Sequence, residues 1–330
     1  MKYLFIGLGS IGKRHLENLR ELTNDEIIAY RSSKKNDGLG DKYGIKEYYD
    51  FDETLKQNPD VVFITNPTKF HMRFALKIAK NNCHLFIEKP ISHNLEKIDE
   101  LLDIMNKNKK ICYVGFNFRF HPNLIKINEL IKSDKIGKVL FARMQVGQYL
   151  PDWHPDEDYR KSYSARKDLG GGVVLTLIHE LDCAHWLFGE IKSVIAYVGK
   201  LSSLDIDVED TASIIMKTKN GAFLEIHLDY IQKPLTRTCE IVGEKGKIEW
   251  NYTKNTVRLY LNKEKKLILY KEKKFRRADM FKKELKHFLN IIKKGNKNNK
   301  SNDIKHVMKI VEAIKKSSKK KKSIEIKEFD

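Results

Sequence analysis

Lys89 stands between Glu88 and Pro90 at the end of the apolar run His84 to Ile87, far downstream of a glycine-rich loop that opens the chain. A lysine held between a carboxylate and a proline has few directions in which to point, and a positioned ammonium can stabilise a developing negative charge. The loop itself, Gly7-Leu8-Gly9-Ser10-Ile11-Gly12, fits GxGxxG. The first glycine permits a tight turn, the second lets backbone amides approach a pyrophosphate, and the third lets the following helix pack on the strand. The motif follows an apolar strand and opens a helix free of proline, which is the context it requires. Gly7, Gly9, Ser10, Ile11 and Gly12 are therefore read as dinucleotide contacts, with a purely structural turn as the alternative.

The end of the second strand speaks to which dinucleotide. Ala29-Tyr30-Arg31-Ser32-Ser33 offers no acidic residue for the 2′-hydroxyl of an adenosine ribose. A guanidinium pairs with phosphate and hydroxyls donate to it, so Arg31, Ser32 and Ser33 predict NADP(H) in preference to NAD(H). The alternative is that Arg31 stacks on the adenine of either cofactor.

These residues need elements to hold them. The first ~115 residues alternate apolar strands (Tyr3 to Ile6, Glu26 to Tyr30, Val61 to Thr65, His84 to Ile87, Ile111 to Gly115) with helices, the pattern of a doubly wound parallel sheet. After Phe120 the pattern changes. A helix from about Asn123 to Ser133 precedes a strand (Lys138 to Val146). An aromatic stretch then leads into Gly170-Gly171-Gly172 and an apolar helix to Phe188. Residues 191–270 read as antiparallel strands with hairpin turns at Lys219-Asn220-Gly221 and Gly243-Glu244-Lys245-Gly246. Two helices, joined by a polar linker, close the chain. The expectation is an α/β protein: an N-terminal Rossmann domain over 1–120 that binds NAD(P), and an α+β domain over 121–330 with a large, open, mainly antiparallel sheet for substrate binding and oligomerisation.

The glycine loop, Thr65-Asn66-Pro67-Thr68 with His71, Glu88-Lys89-Pro90, and Gly170-Gly171-Gly172 with His179-Glu180-Leu181-Asp182 occur in that order. With Val208 to Ala212 and Cys239 to Trp250, they make the chain resemble the glucose–fructose oxidoreductase / inositol dehydrogenase (Gfo/Idh/MocA) family over nearly its whole length. The resemblance implies NAD(P)-dependent oxidation or reduction of sugars, polyols or related compounds. By position it implies that Thr65, Asn66, Pro67 and His71 line the cofactor, and that Glu88 and Lys89 stand by the nicotinamide ribose and the substrate hydroxyl. Hydride transfer from a carbinol needs a partner for the hydroxyl proton, and a histidine titrating near neutrality can take it. His179 is assigned as general acid/base, with Lys89 as its electrostatic and proton-relay partner. Asp182, three residues on, shares its helix face and is expected to orient substrate or His179, or else to serve as a packing or salt-bridge residue. Arg119 is expected either to hold an anionic substrate group or to tie the domains together.

One departure stands out. Many relatives carry an aspartate three or four residues before this histidine, where this chain has Thr176 and Leu175. The retained Lys89 and His179 favour an enzyme, while the missing carboxylate leaves open a sensor that binds dinucleotide without turnover. The stretch containing Trp153, Tyr159, Arg160 and Tyr163 suits a sugar, because apolar ring faces stack and an arginine binds a carboxylate or phosphate. Together with Arg166 and Arg237 it predicts an anionic sugar or sugar nucleotide, and the segment is similar to ones in relatives from surface-sugar pathways.

Composition narrows the field. The chain has 330 residues, of which 41% are hydrophobic, and a formal net charge of +19. The excess lysines are spread over helix faces with few aromatics between them, so nucleic acid is not the expected partner. No run approaches the ~18 apolar residues of a membrane span. Met1-Lys2 leads straight into a strand, and the four cysteines form no CxxC. A cytoplasmic protein without a metal site or disulfides is expected, assembled as a homodimer or homotetramer through the C-terminal sheet.

Overall fold

The computed structural model describes residues 1–34, 37–272, 274–295 and 301–330; the elements below are those of these residues. They form two compact units: Met1–Asn117 with Arg277–Lys305, and Phe118–Arg276 with His306–Asp330.

The first unit alternates as β1 (Lys2–Ile6), α1 (Ser10–Arg20), β2 (Glu26–Tyr30), α2 (Leu39–Tyr43), β3 (Lys46–Tyr48), α3 (Phe51–Leu55), β4 (Val61–Ile64), α4 (His71–Lys80), β5 (His84–Glu88), α5 (Ile98–Lys107) and β6 (Cys112–Gly115). Its strands lie in the order β3-β2-β1-β4-β5-β6, with every pair parallel. The order reverses between β1 and β4, and ligands of such sheets bind outside the strand ends at that point. Phe5 pairs in register with Ala29 on one side and Phe63 on the other, and all three are fully buried. Strands covered on both faces read as unbroken apolar runs for this reason. The short elements α2, β3 and α3 carry too few periodic residues to stand out in the sequence.

The second unit holds α6 (Pro122–Lys132), β7 (Val139–Gly147), α7 (Val173–Thr176), α8 (His179–Phe188), β8 (Ile191–Gly199), β9 (Thr211–Thr218), β10 (Phe223–Asp229), β11 (Thr236–Gly243), β12 (Gly246–Asn251), β13 (Thr256–Leu261) and β14 (Lys266–Lys271). The chain continues through α9 (Arg277–Lys293), α10 (Ser301–Lys320) and β15 (Ile324–Glu325). The sheet order is β14-β13-β12-β11-β7-β10-β9-β8-β15; β7 and β10 pair parallel and the other neighbours antiparallel. Strict alternation puts Ala142, Met144, Ile214, Met216, Leu224 and Ile226 inside, and leaves Ile215, Phe223 and Tyr260 on the open face. The helix expected to run unbroken to Phe188 stops at Thr176, and α8 restarts at His179. This break puts His179 at the first position of a helix.

The division differs from a simple boundary at 120/121. Helix α9 carries Leu285, Phe288, Leu289 and Ile292 into the core formed by Phe5, Phe63 and Phe86, so Arg277–Lys305 belongs with the first unit. An amphipathic helix shows that it covers something, and its pattern does not say which sheet. The linker expected before the last helix falls largely outside the described residues.

Candidate active site

In the first unit the glycine loop is built for three different reasons. Gly7 has φ +93°, and a Cβ there would lie 2.9 Å from the Asn66 amide nitrogen. A Cβ on Gly12 would lie 2.2 Å from the Gly7 carbonyl oxygen, so any side chain would push helix and strand apart. A Cβ on Gly9 would meet no protein atom within 4 Å, which leaves space for a ligand against the backbone. Helix α1 starts here with no side-chain cap, so its first amides are left for an anion. Ser10 is exposed and Ile11 half-buried beside them. The Thr65 hydroxyl donates to the Gly7 carbonyl at 2.5 Å and joins β4 to the loop. Asn66 and Pro67 follow, half-buried, and Asn66 Oδ1 is a buried acceptor with no hydrogen-bond partner among the described residues. Open space at Gly9, uncapped amides and an orphan acceptor fit a dinucleotide, which Gly7 to Gly12 and Thr65 to Pro67 would hold.

Two expected cofactor contacts have protein partners of their own. Arg31 is buried, and its guanidinium is taken by two carboxylates: Nη1 donates to Asp37 at 2.9 Å and Glu47 at 2.7 Å, while Nη2 donates to Asp37. Arg31 in turn holds the Asp37 carboxyl down at about 2. Ser32 and Ser33 are exposed after it. Arg31 is thus paired with carboxylates of its own unit at the place where a 2′-phosphate contact was expected. The Glu88 carboxylate is likewise engaged, with Oε1 at 2.5 Å from His15 Nε2 and Oε2 accepting the Lys89 N–H at 3.2 Å. It braces the turn that carries Lys89 where a ribose contact was expected. His71 is buried, with Nε2 at 2.7 Å from the Asn66 carbonyl and Nδ1 at 2.9 Å from that of Pro90. Burial presses its pKa down while both carbonyls pull it up. It joins the loop after β4 to the turn after β5. Lys89 itself is half-buried.

In the second unit His179 opens α8, 9% exposed, with its ring centroid 4.8 Å from that of Phe118. The Arg237 guanidinium lies 4.0 Å from the Phe118 centroid and forms a two-pronged ion pair with Glu180, at 2.6 and 3.0 Å. Phe118, Tyr252, His121 and Phe275 continue the stack. Phe118, which sequence reasoning passed over, is thus the ring against which His179 rests. Asp182 is fully buried and accepts from Arg119 Nε at 3.0 Å and Nη2 at 2.6 Å. Asp182 thus makes the salt bridge that was one of its two expected roles. The bridge also commits the Arg119 guanidinium to Asp182 where a substrate anion was considered. Leu175 and Thr176 are buried on α7.

The aromatic stretch is half-buried. The Trp153 indole donates to the Gln148 carbonyl at 3.2 Å and meets Tyr230 edge-on, and the Tyr159 hydroxyl accepts from the Asp205 N–H at 3.2 Å. Arg160 is exposed and doubly bonded to Asp158, at 2.8 and 2.9 Å. Arg166 is exposed and paired in the same way with Asp168. Tyr163 opens a short turn whose carbonyl lies 2.2 Å from where a Gly171 Cβ would be, so the glycine run fits against it only without side chains.

Other chemistries find little support. Burial pushes the Cys83 thiol up to about 11 and those of Cys112 and Cys239 up to about 12, so none is a poised nucleophile. Among the described residues no cluster of His, Cys, Asp and Glu has metal-binding geometry, and no helix is long and apolar enough to cross a membrane.

Residues 1–116 match the family model described as an oxidoreductase family with an NAD-binding Rossmann fold, and residues 124–249 match the GFO/IDH/MocA C-terminal domain. The myo-inositol 2-dehydrogenase of Thermotoga maritima is 30% identical over an alignment covering 99% of each chain. The inositol 2-dehydrogenase of Salmonella typhimurium is 27% identical over 76% of this chain and 73% of its own. Among solved structures, levoglucosan dehydrogenase in complex with NADH superposes with a TM-score of 0.87 at 19% identity, covering 99% of each chain, a likeness of fold.

Proposed function

The chain belongs to the Gfo/Idh/MocA family of NAD(P)-dependent oxidoreductases, which act on CH–OH groups, and from that premise we propose that it interconverts a secondary alcohol and a ketone on an uncharged polyol or sugar ring. When bound, the dinucleotide supplies the acceptor or donor of hydride. His179 takes or returns the hydroxyl proton, and the Lys89 ammonium stabilises the negative charge that gathers on that oxygen. Trp153, Tyr159 and Tyr163 give ring faces against the substrate's C–H surfaces.

The arginine pairings carry the uncharged-substrate reading. Arg119, Arg160, Arg166 and Arg237, the groups that pointed to an anionic sugar or sugar nucleotide, are each matched by a carboxylate. The inositol dehydrogenase relatives support the same class. Nicotinamide absorbance with myo-inositol, levoglucosan, a uronic acid and a nucleotide sugar tests it. Turnover of the neutral compounds is expected, and turnover confined to the charged ones would reverse the reading. Tight NADH binding without turnover on any of them would establish the sensor alternative.

NAD(H) is the proposed working cofactor. A 2′-phosphate brings a charge of roughly −1.5 to −2 next to the Asp37 and Glu47 carboxylates and would have to draw Arg31 away from both.

Assembly as a homodimer or homotetramer is proposed through the open face of the second sheet. There Ile195 pairs across strands with Ile215 and Tyr260 with Leu267, on either side of the charged row Glu225–Arg143–Glu240. Tyr197, on the same face, is 72% exposed. Apolar rows flanking a charged one suit a surface that meets its own copy. Light scattering on the wild type and on Ile215→Lys checks it: a monomeric wild type would exclude the assembly, and a smaller species for the variant is expected.

A further inference from the structure

We infer that His15, which has no place in the chemistry assigned above, is a positioning residue for Lys89 and acts through Glu88. His15 lies on the second turn of α1, the helix whose first amides face the cofactor space. Its side chain is fully buried among Phe86, Phe281 and Phe63, with ring centroids 4.8, 5.9 and 6.2 Å away. A buried imidazole needs a polar partner, and this one has Glu88 Oε1 at 2.5 Å from Nε2. Its Nδ1 has no hydrogen-bond partner among the described residues. That asymmetry assigns the proton to Nε2, so the ring donates to the carboxylate.

The carboxylate passes the restraint on. Its second oxygen accepts the main-chain N–H of Lys89 at 3.2 Å. On the neighbouring strand Gly115 makes room, since a Cβ there would sit 3.2 Å from Oε1. At the other end of the turn the Pro90 carbonyl meets His71. Two buried histidines from α1 and α4 thus bracket the three residues Glu88, Lys89 and Pro90. A purely structural role explains this poorly, because apolar groups of similar volume commonly serve stability as well as a buried polar pair does. What the pair supplies is direction: it refers the lysine's main chain to the helix at whose start the cofactor is held. The inference rests on Lys89 acting at the substrate hydroxyl.

The test compares His15→Gln, whose amide keeps a donor, with His15→Phe, which keeps volume and loses the donor. Each is assayed for NADH affinity by nicotinamide fluorescence, for the rate at which acetic anhydride acetylates Lys89 by peptide mass spectrometry, and for kcat and KM with myo-inositol and NAD. Positioning predicts that kcat falls about 10–100-fold in His15→Phe, with NADH affinity within about threefold of wild type. It also predicts an altered Lys89 acetylation rate and recovery of both properties in His15→Gln. Wild-type kcat and acetylation in His15→Phe would overturn it, as would equal damage in both variants. If the wild type turns over no polyol, the functional reading fails, while the acetylation rates still decide whether His15 governs Lys89. If His15→Phe does not fold, Glu88→Gln is read by the same acetylation rate, and a wild-type rate there overturns the inference.

Discussion

Removing the ammonium of Lys89 or the imidazole of His179 takes away charge or proton transfer and leaves the glycine loop intact. Lys89→Ala and His179→Ala should each lower kcat by about 10²–10⁴-fold, with NADH still bound. Wild-type turnover in either would remove that residue from the mechanism. Asp182 makes a different prediction. It is fully buried against Arg119, and breaking a buried pair from one side costs roughly 3–5 kcal/mol. Asp182→Ala should therefore unfold at markedly lower denaturant, and an unchanged midpoint would return Asp182 to a role in catalysis. The tight turn and close helix–strand approach at Gly7 and Gly12 were legible because they obey a local backbone rule. Arg31, Glu88 and Arg119 have charged side chains whose use depends on partners elsewhere, which the sequence does not name. Glu88 meets His15, 73 residues away, and Arg119 meets Asp182, 63 residues away. No local pattern encodes such pairs.

At the scale of elements, the segment after β2 carries the proposal of NAD(H). Asp37 lies in the loop before α2, and Glu47 on β3, which pairs in parallel with β2. Both reach back to Arg31. Asp37→Ala should release part of that guanidinium and raise affinity for NADPH relative to NADH by about tenfold, the worth of roughly 1.4 kcal/mol. Titration of each reduced cofactor by fluorescence measures the ratio, and no change would show that the paired arginine is not what disfavours the phosphate. The break between α7 and α8 was hidden in the sequence, because Val173 to Phe188 is apolar enough to read as one helix. Strands β9 to β13 were legible because each alternates inward and outward residues and tight turns separate the hairpins. β14 and β3 were not: β14 is an edge strand with no buried residue, and β3 has three residues, so neither shows that contrast.

For the molecule as a whole, two histidines tie stability to pH. The His84 Nδ1 accepts the Ile111 N–H at 3.1 Å, and His306 Nε2 accepts the Ile191 N–H at 3.0 Å. Burial lowers each to about 4, below the ordinary value near 6.5. Between about 6.5 and 4 the unfolded chain holds more protons than the folded one, so stability falls as pH drops through that window. Melting temperature measured across it should decline, and His306→Gln should flatten the decline. A flat profile in the wild type would mean that neither ring stays neutral in the fold.

Helix α9 has a consequence for synthesis. Leu285, Phe288, Leu289 and Ile292 complete a core begun by Phe5, so the first unit to leave the ribosome is the one that must wait. Its sheet is written by Asn117, and its last apolar cover starts at Arg277. At about 5–20 residues per second, that interval lasts roughly ten to thirty seconds. Through it the nascent sheet exposes the surface that α9 will cover, and a chaperone that binds apolar surface has its longest opportunity there.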